Sequence, residues 1–277
     1  MVPAKAIKTF RDLLSFLTII PVTGKNADFV FGAAEHMYLF PVIGGLIGLL
    51  GATYFVGANY VLHFLLGLVN LVIAVPISFI VELCAAAMTI AFLLVLTGLQ
   101  HFDGLIDLGN TFGLRNLKDR KNVAHAWTVT YWGAVLAFAV EFAAFIGLFF
   151  INPFFAFGAI IAAEVSAKLA MVTIVWAGKP THKGLGSIFL QKAKNKLNII
   201  AYVLSVVIVY LFFALVGKYY VGLIAVGLVL VSIPVAFLMR KVGEIVFGGV
   251  SGDIVGATNE IARAITLILF ASVLILI

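Results

Sequence analysis

Long runs of apolar residues, separated by short polar segments, dominate the chain. A run of about 17 to 25 such residues is long enough to cross a hydrocarbon layer roughly 30 Å thick as an α-helix. The runs lack the alternation that a lipid-facing barrel strand requires, so they predict helices rather than strands. The predicted transmembrane helices are seven: residues 38–62, 77–99, 131–151, 154–177, 197–216, 219–239 and 261–277.

Composition supports this interpretation. Of the 277 residues, 64% are hydrophobic and only 11% are charged, and the mean hydropathy is +1.19. A soluble domain of this length would need about 25% charged residues to cover its surface. We therefore expect an all-α integral membrane protein with one polytopic domain, residues 1–277, whose helical bundle covers residues 37–277.

The first 36 residues predict an interfacial segment. Lys5, Lys8 and Arg11 recur at helical spacing ahead of the apolar Leu13 and Leu17, which is typical of an amphipathic helix on an anionic membrane surface. A cleaved signal peptide is the alternative, but residues 21–25 offer no site of the small-x-small kind.

Nearly all lysines and arginines fall in four stretches, residues 5–25, 115–121, 179–196 and 240–263. Positively charged loops remain in the cytoplasm, so an even number of spans must separate neighbouring stretches. This predicts a cytoplasmic N-terminus in the inner (cytoplasmic) membrane, and it makes residues 64–75 an interfacial or re-entrant piece on the far side.

The densest polar group lies at the inner mouth of the second predicted span. It contains His101, Asp103 and Asp107, and Asn110 follows it. If the helix continues, Asp103 and Asp107 share one face at a spacing that lets two carboxylates hold a divalent cation. The alternative is that both simply face cytoplasmic water near basic side chains.

A glycine-rich segment, residues 248–260, is predicted to lie on the same side. Its glycines permit close backbone approach, and backbone N–H groups at a helix start can bind phosphate oxygens. Asp253 is the acid that could complete a metal site with Asp103 and Asp107. The alternative is a glycine-rich turn with Asp253 as a helix N-cap.

A third polar segment, residues 178–187, contains Lys179 and Lys183 but no acid. It could bind substrate phosphates or simply contact anionic lipid. Inside the fourth span, Glu164 and Lys168 are four residues apart, which favours an ion pair that links helices over a transport path.

Five short motifs, taken in order, resemble the cobalamin synthase family, the membrane enzymes also called adenosylcobinamide-GDP ribazoletransferases. The resemblance covers nearly the whole chain. Its motifs are Phe-Leu-Thr-Ile-Ile-Pro-Val at 16–22, Phe-Pro-Val-Ile-Gly-Gly-Leu-Ile-Gly at 40–48, Leu-Thr-Gly at 96–98 with His-x-Asp-Gly-Leu-x-Asp at 101–107, Lys-Pro at 179–180 with Lys-Gly-Leu-Gly at 183–186, and Gly-Gly-x-Ser-Gly-Asp-x-x-Gly-Ala at 248–257.

The resemblance implies a reaction and its participants. The family joins adenosylcobinamide-GDP to α-ribazole or its 5′-phosphate, releases GMP and uses Mg²⁺. It implies a corrinoid nucleotide and α-ribazole as substrates, the lipid bilayer as surroundings, no nucleic acid, and an active face toward the cytoplasm. The oligomeric state stays open, with a homo-oligomer among the alternatives.

Roles for individual residues follow from the same resemblance. Asp103 and Asp107 would hold Mg²⁺, with Asp253 as a further ligand, and His101 would be a base or orient an aspartate. The residues expected to bind substrate or phosphate are Lys179, Lys183, Gly249, Ser251, Gly252 and Asn110.

The chain departs from the family pattern in three places. Asn110 stands where the family usually has a third acid, and Ala126 stands for an acid within residues 125–130, where the family resembles Lys-Asp-Ser-Arg-Ile-Gly. Lys179 replaces an arginine that often precedes the proline. A divergent or engineered member with impaired activity is therefore an alternative.

Two further classes compete. A CDP-alcohol phosphotransferase also places aspartates at a helix end, but Asp103-Gly104 is not followed by its Ala-Arg pair. A secondary transporter would use acids such as Glu141 or Glu164 as a midplane ion site. Acids that converge at one face favour a transferase, and acids at the midplane favour transport.

Overall fold

The computed structural model describes residues 2–22, 28–124, 126, 128–181, 185–216 and 219–274. Within these residues the fold is helical, with one isolated bridge between Pro180 and Val250. The helices are α1 (Val2–Leu17), α2 (Asp28–Glu35), α3 (Phe40–Asn70), α4 (Ile77–Leu96), α5 (Gln100–Asn110), α6 (Leu117–Ala124), α7 (Tyr131–Phe150), α8 (Pro153–Ala177), α9 (Leu185–Lys192), α10 (Ile199–Val216), α11 (Tyr219–Leu230), α12 (Ser232–Phe247) and α13 (Gly252–Leu274), with single 3₁₀ turns at Met37–Leu39 and Lys196–Asn198.

Seven helical segments of the described chain are long and apolar enough to span a membrane, as predicted. They are Met37–Asn70, Ile77–Leu96, Tyr131–Phe150, Pro153–Ala177, Lys196–Leu215, Tyr219–Phe247 and Gly252–Leu274. The polytopic all-α fold is therefore confirmed.

Residues 64–75 do not form one separate piece as predicted, because residues 64–70 belong to α3 and only residues 71–75 lie outside the helices. The first spanning helix, α3, continues without a break to Asn70, because residues 63–69 contain no proline and are mostly apolar. Asn70 then closes the turn, since its side-chain oxygen accepts the N–H of Val75 at 3.0 Å. Pro76 directly precedes α4.

The last two spans also differ from their predicted limits. The sixth is divided at Val231 into α11 and α12, just ahead of Pro234, whose ring nitrogen cannot donate the helical hydrogen bond. It continues to Phe247 instead of ending at residue 239, and the seventh begins at Gly252 instead of residue 261.

Helix α8 forms the centre of the bundle, and all of its residues from Gly158 to Val175 are buried. Small side chains let neighbouring helices approach it closely. A methyl group at Gly44 of α3 would meet the carbonyl oxygen of Glu164 at 2.6 Å, and one at Gly48 would meet Ile161 at the same distance. Larger residues at these positions would force α3 away from α8.

Charged side chains form a network in the middle of this core, where α7, α8 and α13 meet. The Lys168 ammonium contacts the Glu164 carboxylate at 3.2 Å, so the predicted ion pair is present. Lys168 also donates to Asn259 at 2.8 Å, and Asn259 donates to Glu260 at 3.0 Å. Each of these four side chains is completely buried.

Arg263 joins the other half of the network. Its guanidinium contacts Glu141 at 2.8 Å, Glu164 at 3.5 Å and Glu260 one helical turn earlier. We predicted Arg263 in a cytoplasmic basic stretch, and that prediction is wrong. Because α13 begins at Gly252, Arg263 lies three turns inside the helix and is fully buried.

The polar loops gather at one end of the bundle. Lys192 of α9 pairs with Glu35 of α2 at 2.7 Å, and Lys121 of α6 donates to the carbonyl of Thr181 at 3.4 Å. Arg120 of α6 donates to the carbonyl of Ile245 in α12 at 2.9 Å. These contacts bring the second and third basic stretches and the start of the fourth to one end, whereas Arg263 lies apart in the core.

The network predicts a large cost for losing its central cation. Arg263→Gln would leave three carboxylates near one remaining lysine, and breaking a buried pair costs about 3 to 5 kcal/mol. Unfolding of the purified protein in mixed micelles should show a loss of this size. Lys241→Gln, at an exposed position of α12, is the matched control and should change stability little. An Arg263→Gln protein as stable as that control would contradict the assignment.

Candidate active site

A sharp turn separates α5 from the second spanning helix. Gly98 and Leu99 adopt positive φ angles of 69° and 59°, so α4 ends at Leu96 and α5 starts in a new direction at Gln100. The predicted span to residue 99 is therefore three residues too long. Asp103 and Asp107 do share one face of α5, as their spacing of four predicts.

Two glycines bring α5 against the start of α13. A methyl group at Gly104 would collide with the carbonyl oxygen of Asp253 and meet the nitrogen of Ala257 at 3.0 Å. One at Gly256 would meet the Cα of His101 at 3.1 Å. The backbones therefore touch directly, and this contact places the acids of α5 beside the acid of α13.

The three predicted metal ligands line one cleft of about 380 Å³. Asp103 and Asp107 come from α5 and Asp253 comes from the first turn of α13. The remaining lining side chains are Ile106, Ala124, Thr128 and Val129. Two sequence segments about 150 residues apart thus converge on one opening, as their glycine-rich motifs predicted.

The crowding of these carboxylates has an electrostatic consequence. Partial burial, followed by the charges of Asp253 and Asp103, raises the pKa of Asp107 from 3.8 to about 7, although a hydrogen bond from Asn110 acts in the opposite direction. Among the described residues, no three His, Cys, Asp or Glu side chains form a closed metal-binding cluster. The aspartates therefore share the cleft without a complete coordination shell.

The start of α13 is organised by Ser251. Its hydroxyl donates to the Asp253 carboxylate at 3.1 Å and accepts the backbone N–H of Ile254 at 3.4 Å. A methyl group at Gly252 would meet nothing within 4 Å, so the first turn of the helix is open on that side. An open N-terminal turn with a positive dipole end favours a bound anion.

The Lys-Pro segment packs directly against this glycine-rich turn. Val250 donates its N–H to the carbonyl of Lys179 at 2.7 Å, and Gly249 lies close to the same carbonyl. The side chain of Lys179 is exposed at this edge, whereas Lys183 lies outside the described residues. The predicted phosphate-binding residues Lys179, Gly249, Ser251 and Gly252 are therefore neighbours.

Lys194 is a structural residue that the sequence did not reveal. Its ammonium donates to the carbonyls of Val175, Trp176 and Gly178 at 2.5 to 3.0 Å, and so it caps the end of α8. Burial and the charge of Arg240 lower the pKa of Lys194. This lysine holds the segment that carries Lys179 in place.

Asn110 is buried beneath the cleft rather than exposed in it. Its side-chain nitrogen donates to the carbonyl of Thr128 at 2.8 Å, and its side-chain oxygen accepts from the backbone and the hydroxyl of Thr130, both at 2.9 Å. These bonds attach residues 128–130 to α5. A direct contact of Asn110 with substrate stays a prediction, and the structure shows a supporting role.

His101 does not reach the acidic cleft. His101 and Asp103 are two positions apart, which corresponds to a rotation of about 200° around the helix axis. The ring of His101 therefore lies on the opposite side of α5 from Asp103. It lines a separate cavity, with Nδ1 3.9 Å from a Glu260 oxygen. Burial, with the positive charges of Lys168 and Arg263, holds the pKa of His101 well below its usual range, so the imidazole is neutral.

Comparison with known proteins gives consistent matches over nearly the whole length. The family model described as cobalamin-5-phosphate synthase matches residues 9–271. Adenosylcobinamide-GDP ribazoletransferase from Methanosarcina barkeri is 29% identical over 96% of this chain and 92% of its own length. The enzyme of the same name from Methanosarcina mazei is 30% identical over 95% of this chain and 91% of its own length. The one from Halorubrum lacusprofundi is 31% identical over 94% of this chain and 95% of its own length. No solved structure matches.

The close contact between α5 and α13 at Gly104 predicts that one added methyl group there lowers the stability of the protein. Gly104→Ala should push α5 from α13 and destabilise the protein by about 1 to 3 kcal/mol, as overpacking usually does. Gly67→Ala is the matched control, because a methyl group there would meet nothing within 4 Å and alanine favours the helix. Thermal unfolding in detergent compares the two, and equal effects would contradict the close contact.

The raised pKa of Asp107 predicts a pH-dependent effect on stability. The folded protein favours the protonated carboxyl, so this group makes the chain less stable as pH rises from about 4 to about 7. In metal-free buffer Asp107→Asn should match the parent near pH 4 and exceed its thermal midpoint at pH 8. A midpoint difference that stays constant over this range would contradict the shift.

Proposed function

The chain belongs to the cobalamin-5-phosphate synthase family, and from this premise we propose that it is an adenosylcobinamide-GDP ribazoletransferase that assembles the nucleotide loop of cobalamin. It joins adenosylcobinamide phosphate to α-ribazole or its 5′-phosphate and releases GMP. The observation that best supports this proposal is that Asp103, Asp107 and Asp253 line one cleft at the polar end of the bundle.

The donor set fits a Mg²⁺ ion that binds together with substrate. Mg²⁺ prefers oxygen ligands and is usually held by one or two carboxylates, several waters and substrate phosphates. Three aspartates in a cleft without a complete shell leave room for those phosphates. We propose that Asp103 and Asp107 hold the ion, with Asp253 as a further ligand. When bound, it would neutralise and orient the pyrophosphate of the donor.

The surrounding residues then position the phosphoryl groups. The open first turn of α13 at Gly252 offers backbone N–H groups to a phosphate, and Ser251 fixes the Asp253 carboxylate. The exposed Lys179, beside this turn, contributes positive charge for the departing GMP. The ribazole hydroxyl would attack the phosphorus on the cobinamide side and lose its proton to water. Its new P–O bond would form as the P–O bond to GMP breaks, and GMP would leave with that electron pair.

The positions of the acids support this function over transport. The acids that face an opening lie together at one end, whereas the midplane acids Glu141, Glu164 and Glu260 are engaged with Arg263 and Lys168. We propose that the polar end faces the cytoplasm, because the second and third basic stretches and the start of the fourth collect there and the positive-inside rule then applies.

The activity has a direct test. Purified protein with adenosylcobinamide-GDP, α-ribazole 5′-phosphate and Mg²⁺ should release GMP. Asp103→Asn should reduce the rate by at least about a hundredfold, since removal of a metal-binding carboxylate disrupts charge neutralisation.

Asp119→Asn is the matched control, because Asp119 is an exposed aspartate of α6 that accepts a hydrogen bond from Asn116 at 3.1 Å and is not among the described lining residues of the cleft. It should leave GMP release unchanged. Equal rates for Asp103→Asn and the parent would remove Asp103 from the site. Absence of GMP release from folded parent protein would support the impaired-member alternative.

A further inference from the structure

A second cavity adjoins the acidic cleft across the start of α13. It has a volume of about 350 Å³ and lies among α1, α2, α5, α8, α9 and α13. Ser251 and Gly252 line it, and they immediately precede the Asp253 that lines the cleft. The two openings are therefore separated only by the first turn of one helix.

The lining of this cavity is aromatic and apolar. Phe16 of α1 and Phe189 of α9 stack with ring centroids 5.2 Å apart and an interplanar angle of 16°, and both line it. Met171 and Val255 add further apolar surface. Such a wall suits a flat apolar ring, which gains from burial and from stacking.

A few polar groups interrupt this apolar surface at one end. His101 is 7% exposed and its ring lines the cavity, yet its Nδ1 makes no hydrogen bond within the described part of the chain. Gln100 and the hydroxyl of Ser251 lie on the same lining. An apolar pocket with a small number of placed polar groups is typical of a small-molecule site.

We propose that this cavity binds the aromatic base of the ribazole acceptor, an inference that rests on the proposed transferase function. α-Ribazole consists of a dimethylbenzimidazole, which is flat and largely apolar, and a ribose. With the base against Phe16 and Phe189, the ribose lies at Ser251 and Gly252. Because a methyl group at Gly252 would meet nothing within 4 Å, this turn leaves space for a sugar hydroxyl next to Asp253, which lines the acidic cleft.

The other substrate groups fit this cavity less well. Guanine presents two adjacent N–H donors on its pairing edge, which a carboxylate matches best, and no carboxylate is among the described lining residues. The corrin ring with its side chains is far larger than 350 Å³. The cavity therefore favours the acceptor, and the cleft remains for the pyrophosphate of the donor.

The test blocks the cavity and measures each substrate separately. Val255→Phe should raise the Kd and the KM for α-ribazole by about tenfold or more, as a misfit in an apolar pocket does, while the KM for adenosylcobinamide-GDP stays within about twofold. Val255→Ala removes bulk and should retain acceptor affinity. Val42→Phe is the matched control, because Val42 lines a different cavity beside α1.

Binding of α-ribazole alone, measured by calorimetry on the full chain in detergent, separates this inference from the function. If the parent binds α-ribazole, Val255→Phe does not, and no GMP is released, the acceptor site stands and the transferase proposal fails. If GMP is released and Val255→Phe leaves the KM for α-ribazole unchanged, the site is overturned and the function stands. Displacement of α-ribazole by guanosine, which carries no phosphate, would also overturn it, because the cavity would then bind guanine.

A measurement on the unmodified chain covers the case in which Val255→Phe fails to fold. A benzimidazole riboside carrying a photoreactive diazirine should label peptides that contain Phe16, Met171 or Phe189, and excess α-ribazole should prevent the labelling. Labelling confined to the acidic cleft would contradict the proposal. So would labelling of the cavity that added lipid prevents and excess α-ribazole does not.

Discussion

The direct contact between α5 and the start of α13 determines the arrangement of the polar end. Gly104 and Gly256 remove the side chains that would otherwise hold the two backbones apart. This contact brings Asp253 to the face of α5 that carries Asp103 and Asp107, and it leaves His101 on the other face. One helix junction thus produces a polar cleft on one side and an aromatic cavity on the other.

That junction depends in turn on the charges buried behind it. Burial of a carboxylate in a membrane core is costly unless a cation compensates it. Arg263 contacts three glutamates from α7, α8 and α13, and Lys168 bonds to both Glu164 and Asn259. The network therefore fixes α13 relative to its neighbours a few turns below the site, where a displacement would be transmitted along a continuous helix to Asp253.

Much of this arrangement could be predicted from the sequence, but its finer geometry could not. Apolar run length identified seven spans, and the spacing of Asp103 and Asp107, with a glycine-rich motif at Asp253, indicated a common site. The spacing between His101 and Asp103 already placed them on opposite sides of a helix, a signal that motif resemblance obscured. The burial of Arg263 was missed because hydropathy alone set the start of the last span too late, although Glu260 and Arg263 are spaced as an ion pair within a helix beginning at Gly252.

Two positions at which the sequence analysis expected an acid, Asn110 and the segment that includes residues 128–130, lie next to each other in the structure. Asn110 and the segment at residues 128–130 are in contact, and the contact uses both ends of the asparagine side chain. An aspartate at position 110 could accept from Thr130 but could not donate to the carbonyl of Thr128, so one of its oxygens would face that carbonyl oxygen. It would also add a negative charge beside Asp107, whose carboxylate is already crowded. Asparagine therefore fits the carbonyl of Thr128 and the N–H and hydroxyl of Thr130 at the same time, whereas aspartate would satisfy only the donors of Thr130.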